Sequence, residues 1–121
     1  MLKIFIIEDA PSIRSQLIET LQSYANIKVV GFADGQREAL QQLRTIEWDM
    51  AIVDIGLRDG NGLAILEALQ KDQVTYGLRI VFSNYPSPAL KARCLALGAI
   101  DFFDKSREFS ELIDCVKAKA Y

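Results

Sequence analysis

The chain contains no histidine. That absence removes a His-based catalytic triad, a histidine-ligated metal and any phosphohistidine formed on the chain itself. Cysteine is nearly as scarce. Cys94 and Cys115 fit neither a disulfide framework nor a metal-binding spacing. Both fall on apolar faces of helical patterns and read as buried free thiols. There is no cationic surplus: 14 Lys and Arg stand against 16 Asp and Glu, a formal charge of −2. Nothing in that balance favours a nucleic-acid backbone. Apolar runs stay short of the roughly 20 residues that span a bilayer. The opening MLKIFIIEDA is too short and too soon acidic for a signal peptide. The expectation is a cytoplasmic protein with no direct nucleic-acid partner and no membrane partner. Repeats, low-complexity tracts and linkers are also missing, so residues 1–121 read as one domain, long enough to bury a core.

What the chain does have is a regular alternation. Strand-like apolar runs occupy 2–7, 27–33, 50–54, 79–83 and 100–104. Between and after them, helical spacing predicts helices over 11–24, 38–46, 63–71, 88–98 and 107–120. Pro11 suits a first helical turn, and Gly98 suits the position just past a helix end. The order βαβαβαβαβα with short connections predicts a mostly parallel sheet with helices on both faces.

In such sheets ligands bind beyond the carboxyl ends of the strands. The first strand runs into Glu8 and Asp9, the third into Asp54 and the fourth into Ser83, and Lys105 follows the fifth. If the strands are parallel, all five groups share one edge. Three carboxylates brought together repel one another and favour a divalent cation. An all-oxygen site with retained waters suits Mg²⁺. A lysine and a hydroxyl facing that cation suit a phosphoryl group, and Asp54 is then the candidate carboxylate nucleophile.

The acid pair in IIED, the segment VDIGLRDGNGL, the hydroxyl in IVFSN and LGAIDFFDK leading to Lys105 occur in order. Together they resemble the receiver domain of two-component response regulators over essentially the whole chain. The resemblance implies a doubly wound, flavodoxin-like α/β fold, a five-stranded parallel sheet in the order 2-1-3-4-5. It implies phosphoryl transfer to Asp54 from a sensor histidine kinase or a histidine phosphotransfer protein. It also implies Mg²⁺ ligation by Asp9, Asp54 and the Gly56 carbonyl, with Glu8 acting through water. Lys105 and Ser83 would bind phosphoryl oxygens, and Phe102 would pair with Ser83 as the switch aromatic. Phosphorylation would alter the surface of the fourth helix, fifth strand and fifth helix, where a partner or a phosphorylation-linked homodimer would dock. The only catalysis implied is the chain's own phosphorylation and dephosphorylation.

Duller readings compete. Glu8 and Asp9 also suit caps for the first helix. Gly60 and Gly62 suit a tight turn. The sequence also departs from the family. Arg58 stands where proline is usual, Ser106 replaces the proline after the lysine, and Asn84 and Tyr85 replace smaller residues after the hydroxyl. A cis bond before a non-proline costs roughly 2.5–4 kcal/mol, which leaves the Lys105–Ser106 peptide open. Asn84 and Tyr85 would shield the acyl phosphate. One alternative is a degenerate receiver serving as a phosphorylation-independent interaction module. A remote one is an aspartyl-phosphate phosphatase, but Gly56 occupies the place of the second acid that haloacid dehalogenases need. The sequence is compatible with a stand-alone receiver and with part of a longer regulator.

Overall fold

The computed structural model describes residues 1–72, 77–84 and 87–121. Strands β1 (Leu2–Ile7), β2 (Ile27–Ala33), β3 (Met50–Val53), β4 (Leu78–Ser83) and β5 (Ala99–Asp104) alternate with helices α1 (Pro11–Gln22), α2 (Gln36–Leu43), α3 (Gly62–Lys71), α4 (Pro88–Ala96) and α5 (Phe109–Ala120). The strands form one sheet in the order β2-β1-β3-β4-β5, and every pairing is parallel. This is the order that the resemblance implies.

Strand side chains alternate between the two faces, and the alternation splits the core. Phe5, Ile7, Val53, Val81 and Phe102 pack with Leu43, Ile65, Leu66, Leu69 and Cys94 under α2, α3 and α4. Ile4, Ile6, Ile52, Ile80 and Phe103 pack with Leu17, Leu21, Leu112, Ile113 and Val116 under α1 and α5. The central strands are therefore apolar on both faces, and their runs are continuous rather than alternating.

Local chemistry places the helix ends. Pro11 and Pro88 sit in the first turns of α1 and α4. The side chains of Asn61 and Ser87 accept from Ala64 N and Leu90 N, capping α3 and α4. Gly98 has φ +101°, the left-handed conformation expected just past a helix end.

Three expectations need adjustment. Helix α2 spans 36–43 rather than 38–46; Trp48 Nε1 donates to Leu43 O at 2.9 Å and takes up a terminal carbonyl. Helix α5 begins at Phe109 rather than 107, because residues 104–108 form a hydrogen-bonded turn. Cys94 is buried, but Cys115 is only half-buried. Among the described residues no helix is long and apolar enough to cross a membrane.

Candidate functional site

Strand register gathers the predicted residues. Ile7, Val53 and Val81 lie side by side near the carboxyl ends of the three central strands, and Ser83 pairs with Asp104 on β5. Glu8 and Asp54 follow directly from β1 and β3. Asp54 N is still tied to Ile7 O at 3.0 Å, and Lys105 N to Ser83 O at 3.1 Å. The sheet's own ladder thus extends into the site and sets the backbone from which each side chain projects. The strand order reverses between β1 and β3, the crevice where open α/β sheets bind ligands.

Asp54 is 4% exposed and Glu8 only 2%, which is unusual burial for carboxylates. Lys105 compensates both. Its Nζ lies 2.6 Å from Glu8 Oε1 and 2.7 Å from Asp54 Oδ2, with 7% of its side chain exposed. The other Asp54 oxygen accepts from Ser83 Oγ at 3.1 Å and from Gly56 N at 3.3 Å. Glu8 Oε2 accepts from Ala10 N at 3.1 Å. Asp9 Oδ2 accepts from Arg58 N at 2.6 Å, across to the loop after β3. The capping alternative for these acids is not what the structure shows: the N-cap of α1 is Ala10, with no side-chain cap.

Glu8, Asp9 and Asp54 each bring a carboxylate oxygen within 4.8 Å of the others. Asp9 also lines an open pocket of about 180 Å³ with Asp34, Gly35, Glu38, Arg58 and Asp59. The acidic cluster is therefore closed behind by Glu8 and Asp54 and open to water at Asp9. Three clustered oxygens fit a hard divalent cation.

The charges respond to this packing. Burial pushes the Glu8 carboxyl above its usual range, and the hydrogen bonds from Lys105 and Ala10 only partly offset it. Burial works against the Lys105 ammonium, but the hydrogen bonds to Asp54 and Glu8 outweigh it, and the net shift is upward.

The loop after Asp54 is built around close backbone approach. Gly60 has φ +81°, and a Cβ at Gly62 would run into the Asp54 carbonyl oxygen. This turn starts α3 directly against Asp54. Gly56 is exposed beside Asp54.

The Ser83 hydroxyl donates to Asp54 Oδ1. Phe102, the switch aromatic that the resemblance implies, is 3% exposed within the core under α4. The Lys105–Ser106 peptide is trans, as are all peptides among the described residues. Asn84 is exposed, whereas Tyr85 lies outside the described residues.

Sequence reasoning passed over Asp104. It is 4% exposed and is bonded to Ser106 and Arg107. Its signal was an aspartate two residues before a serine at a strand end, a pattern that favours an Asx turn.

The model of the family described as "Response regulator receiver domain" matches residues 4–117. The chain belongs to that family. The receiver domain is the part of a two-component response regulator whose general function is phosphorylation-dependent switching. A putative transcriptional regulator of Pseudomonas aeruginosa is 33% identical over 118 residues, covering 98% of this chain and 56% of that protein. A protein-glutamate methylesterase/protein-glutamine glutaminase of Clostridium acetobutylicum is 30% identical over 113 residues, covering 92% of this chain and 32% of that protein. This receiver thus spans between a third and about half the length of these curated relatives. The response regulator domain of Thermotoga maritima CheB has the same fold, with a TM-score of 0.86 at 24% identity, covering 99% of this chain and 93% of that one.

Proposed function

We propose that residues 1–121 form a phosphorylatable receiver in which Asp54 accepts a phosphoryl group from a sensor histidine kinase or a histidine phosphotransfer protein. The observation that supports this most directly is the double bridge of Lys105 to Glu8 and Asp54, with Asp9 alongside and Ser83 on the remaining Asp54 oxygen. It combines a nucleophile, a cation site and a pair of phosphoryl ligands.

In this reading an Asp54 oxygen attacks the phosphorus of a phosphohistidine in line. The new phosphorus–oxygen bond forms as the phosphorus–nitrogen bond breaks, and the electron pair returns to the donor's imidazole. The sheet holds Asp54 so that little reorientation precedes attack. Lys105 passes from the Asp54 carboxylate to a phosphoryl oxygen, and Ser83 donates to another. Asp9, Asp54 and the Gly56 carbonyl would hold Mg²⁺, with Glu8 reaching it through water. The bound ion supplies neutralisation of the phosphoryl charge. The chain catalyses only its own phosphorylation and dephosphorylation.

The readout is a population shift across α4, β5 and α5. Since Ser83 and Phe102 already take the inward arrangement, the phosphoryl group holds them there rather than driving them there. Leu90, Arg93 and the start of α5 share the affected surface, where a downstream partner or a second phosphorylated copy docks.

The test is incubation with acetyl phosphate, with and without Mg²⁺, followed by intact-protein mass spectrometry. The native chain gains one phosphate only with Mg²⁺, and Asp54→Asn gains none while keeping its fold. Undiminished phosphate on Asp54→Asn moves the acceptor elsewhere. Absence of phosphate on the native chain favours the phosphorylation-independent interaction module.

A further inference from the structure

We propose that Asp104 is a positioning residue for Lys105, locking the turn from which the lysine reaches Glu8 and Asp54. The proposal rests on reading Lys105 as a phosphoryl ligand and adds what holds it there.

A lysine is a flexible four-carbon stem, and its head is placed only as well as its backbone. On one side Lys105 is held by its own N–H, bonded to Ser83 O at 3.1 Å. On the other side the next peptide is held by Asp104. Its Oδ1 accepts from Ser106 N at 3.0 Å and from Ser106 Oγ at 2.8 Å. Its Oδ2 accepts from Arg107 Nε at 3.3 Å. The Asp104 carbonyl accepts from Arg107 N at 3.3 Å and Glu108 N at 2.8 Å. Glu108 Oε1 in turn accepts from Asp104 N at 3.0 Å. Main chain and side chain of Asp104 therefore close a knot around Lys105, and the carboxylate is buried although Arg107 lies largely in solvent.

The knot is not a helix cap. Helix α5 starts at Phe109, its N-cap is Glu108, and no side chain caps it. The donors that the Asp104 carboxylate takes up belong to Ser106 and Arg107, before the helix. Glu108 has a separate task. Strand β5 is an edge strand, and Asp104 N points away from β4, so Glu108 covers a donor that the sheet leaves unpaired. With serine rather than proline after Lys105, the backbone keeps an N–H at residue 106, and Asp104 accepts it.

The experiment compares Asp104→Ala with Asp104→Asn. Asparagine keeps the Oδ1 acceptor for Ser106 and gives up the charge and the Oδ2 acceptor for the largely exposed Arg107. In the metal-free native protein, the Lys105 Nζ and Cε resonances should stand apart from those of the exposed lysines. Asp104→Ala should move them toward the exposed set, and Asp104→Asn should leave them near native. Beryllofluoride binding with Mg²⁺ should weaken at least tenfold in Asp104→Ala, within the roughly hundredfold that a displacement of about 1 Å can cost, while Mg²⁺ binding alone holds. Should Asp104→Ala unfold, Ser106→Ala decides, with Lys105 resonances shifted part-way. Unmoved Lys105 resonances in the folded variant, or an Asn variant as impaired as the Ala one, overturn the proposal. If the native protein binds no beryllofluoride but the resonances move as expected, Asp104 keeps its role and the phosphoryl reading of the site falls.

Discussion

Two lysines at opposite ends of the sheet make the same bond with opposite consequences. Lys3 meets Glu47 at 2.7 Å, with 38% and 87% of the side chains exposed. Lys105 meets Glu8 at 2.6 Å, with 7% and 2% exposed. The geometry is equivalent, and the surroundings decide what it does. At the amino-terminal end water screens the pair, and such pairs contribute little. At the carboxyl-terminal end the charges have lost their water and depend on one another. The chain tolerates that cost at the edge where strand order reverses, where the proposed phosphoryl site lies. The other end is filled by ordinary packing around Trp48.

Removing each lysine is the bluntest way to break this contrast. Lys105→Met leaves Glu8 and Asp54 buried without their cation, and should cost about 3–5 kcal/mol of stability in the metal-free protein. Mg²⁺ should restore part of it. Lys3→Met should leave the melting temperature unchanged. Paired denaturant titrations with and without Mg²⁺ check this, and equal effects at the two sites would end the comparison.

The amino-terminal end has its own weak point, which is steric. A Cβ at Gly77 would overlap the Trp48 ring, and Trp48 is 3% exposed. Gly77→Ala should cost about 1–3 kcal/mol through overpacking, yet leave Mg²⁺ binding and phosphorylation intact in the folded fraction. The converse holds for Asp9. It is half-buried, and its side chain accepts from Arg58 N at the open side of the cluster. Asp9→Ala should lower Mg²⁺ affinity by about tenfold or more, roughly 1.4 kcal/mol, with little change in melting. Magnesium titration by NMR separates the two ends: one variant loses stability and the other loses the ion.

Much of this was legible in the sequence because period and position carry it. Strands β1 and β2 fall on the expected residues, since continuous apolar runs bounded by charge or turn residues leave little choice. Once the strands are parallel, Glu8, Asp9, Asp54, Ser83 and Lys105 must share an edge. Residue order does not show where side chains point. The Ser83 bond to Asp54 and the burial of Phe102 depend on rotamers set by the whole core. Asp104 was hidden for another reason. It closes the apolar run IDFFD and reads as a solvated strand end, and only the turn after it reveals the donors it collects. Family membership directs attention to the lysine, while the unusual serine after it is what the neighbouring aspartate explains.

The smallest effect is also the most specific to the contrast, because the two glutamates should titrate with opposite sign. Glu47 sits below its ordinary value of 4.5, first through the hydrogen bond from Lys3 and then through its charge. Its contribution is present above 4.5 and fades as pH falls through the lowered value. Glu8 sits above 4.5, because burial outweighs its hydrogen bonds to Lys105 and Ala10. Its contribution is fully present below 4.5 and is lost as pH rises through the raised value. In the metal-free protein the Glu8 carboxylate therefore costs stability at neutral pH. Glu8→Gln should flatten the profile of melting temperature against pH on the neutral side of 4.5, and Glu47→Gln should alter it only on the acid side. Side-chain carboxyl NMR titrations of the native protein give the sign for each residue directly. A Glu8 that titrates below 4.5 would mean that Lys105 stabilises its charge more than burial opposes it, and the two ends would then differ in degree rather than in kind.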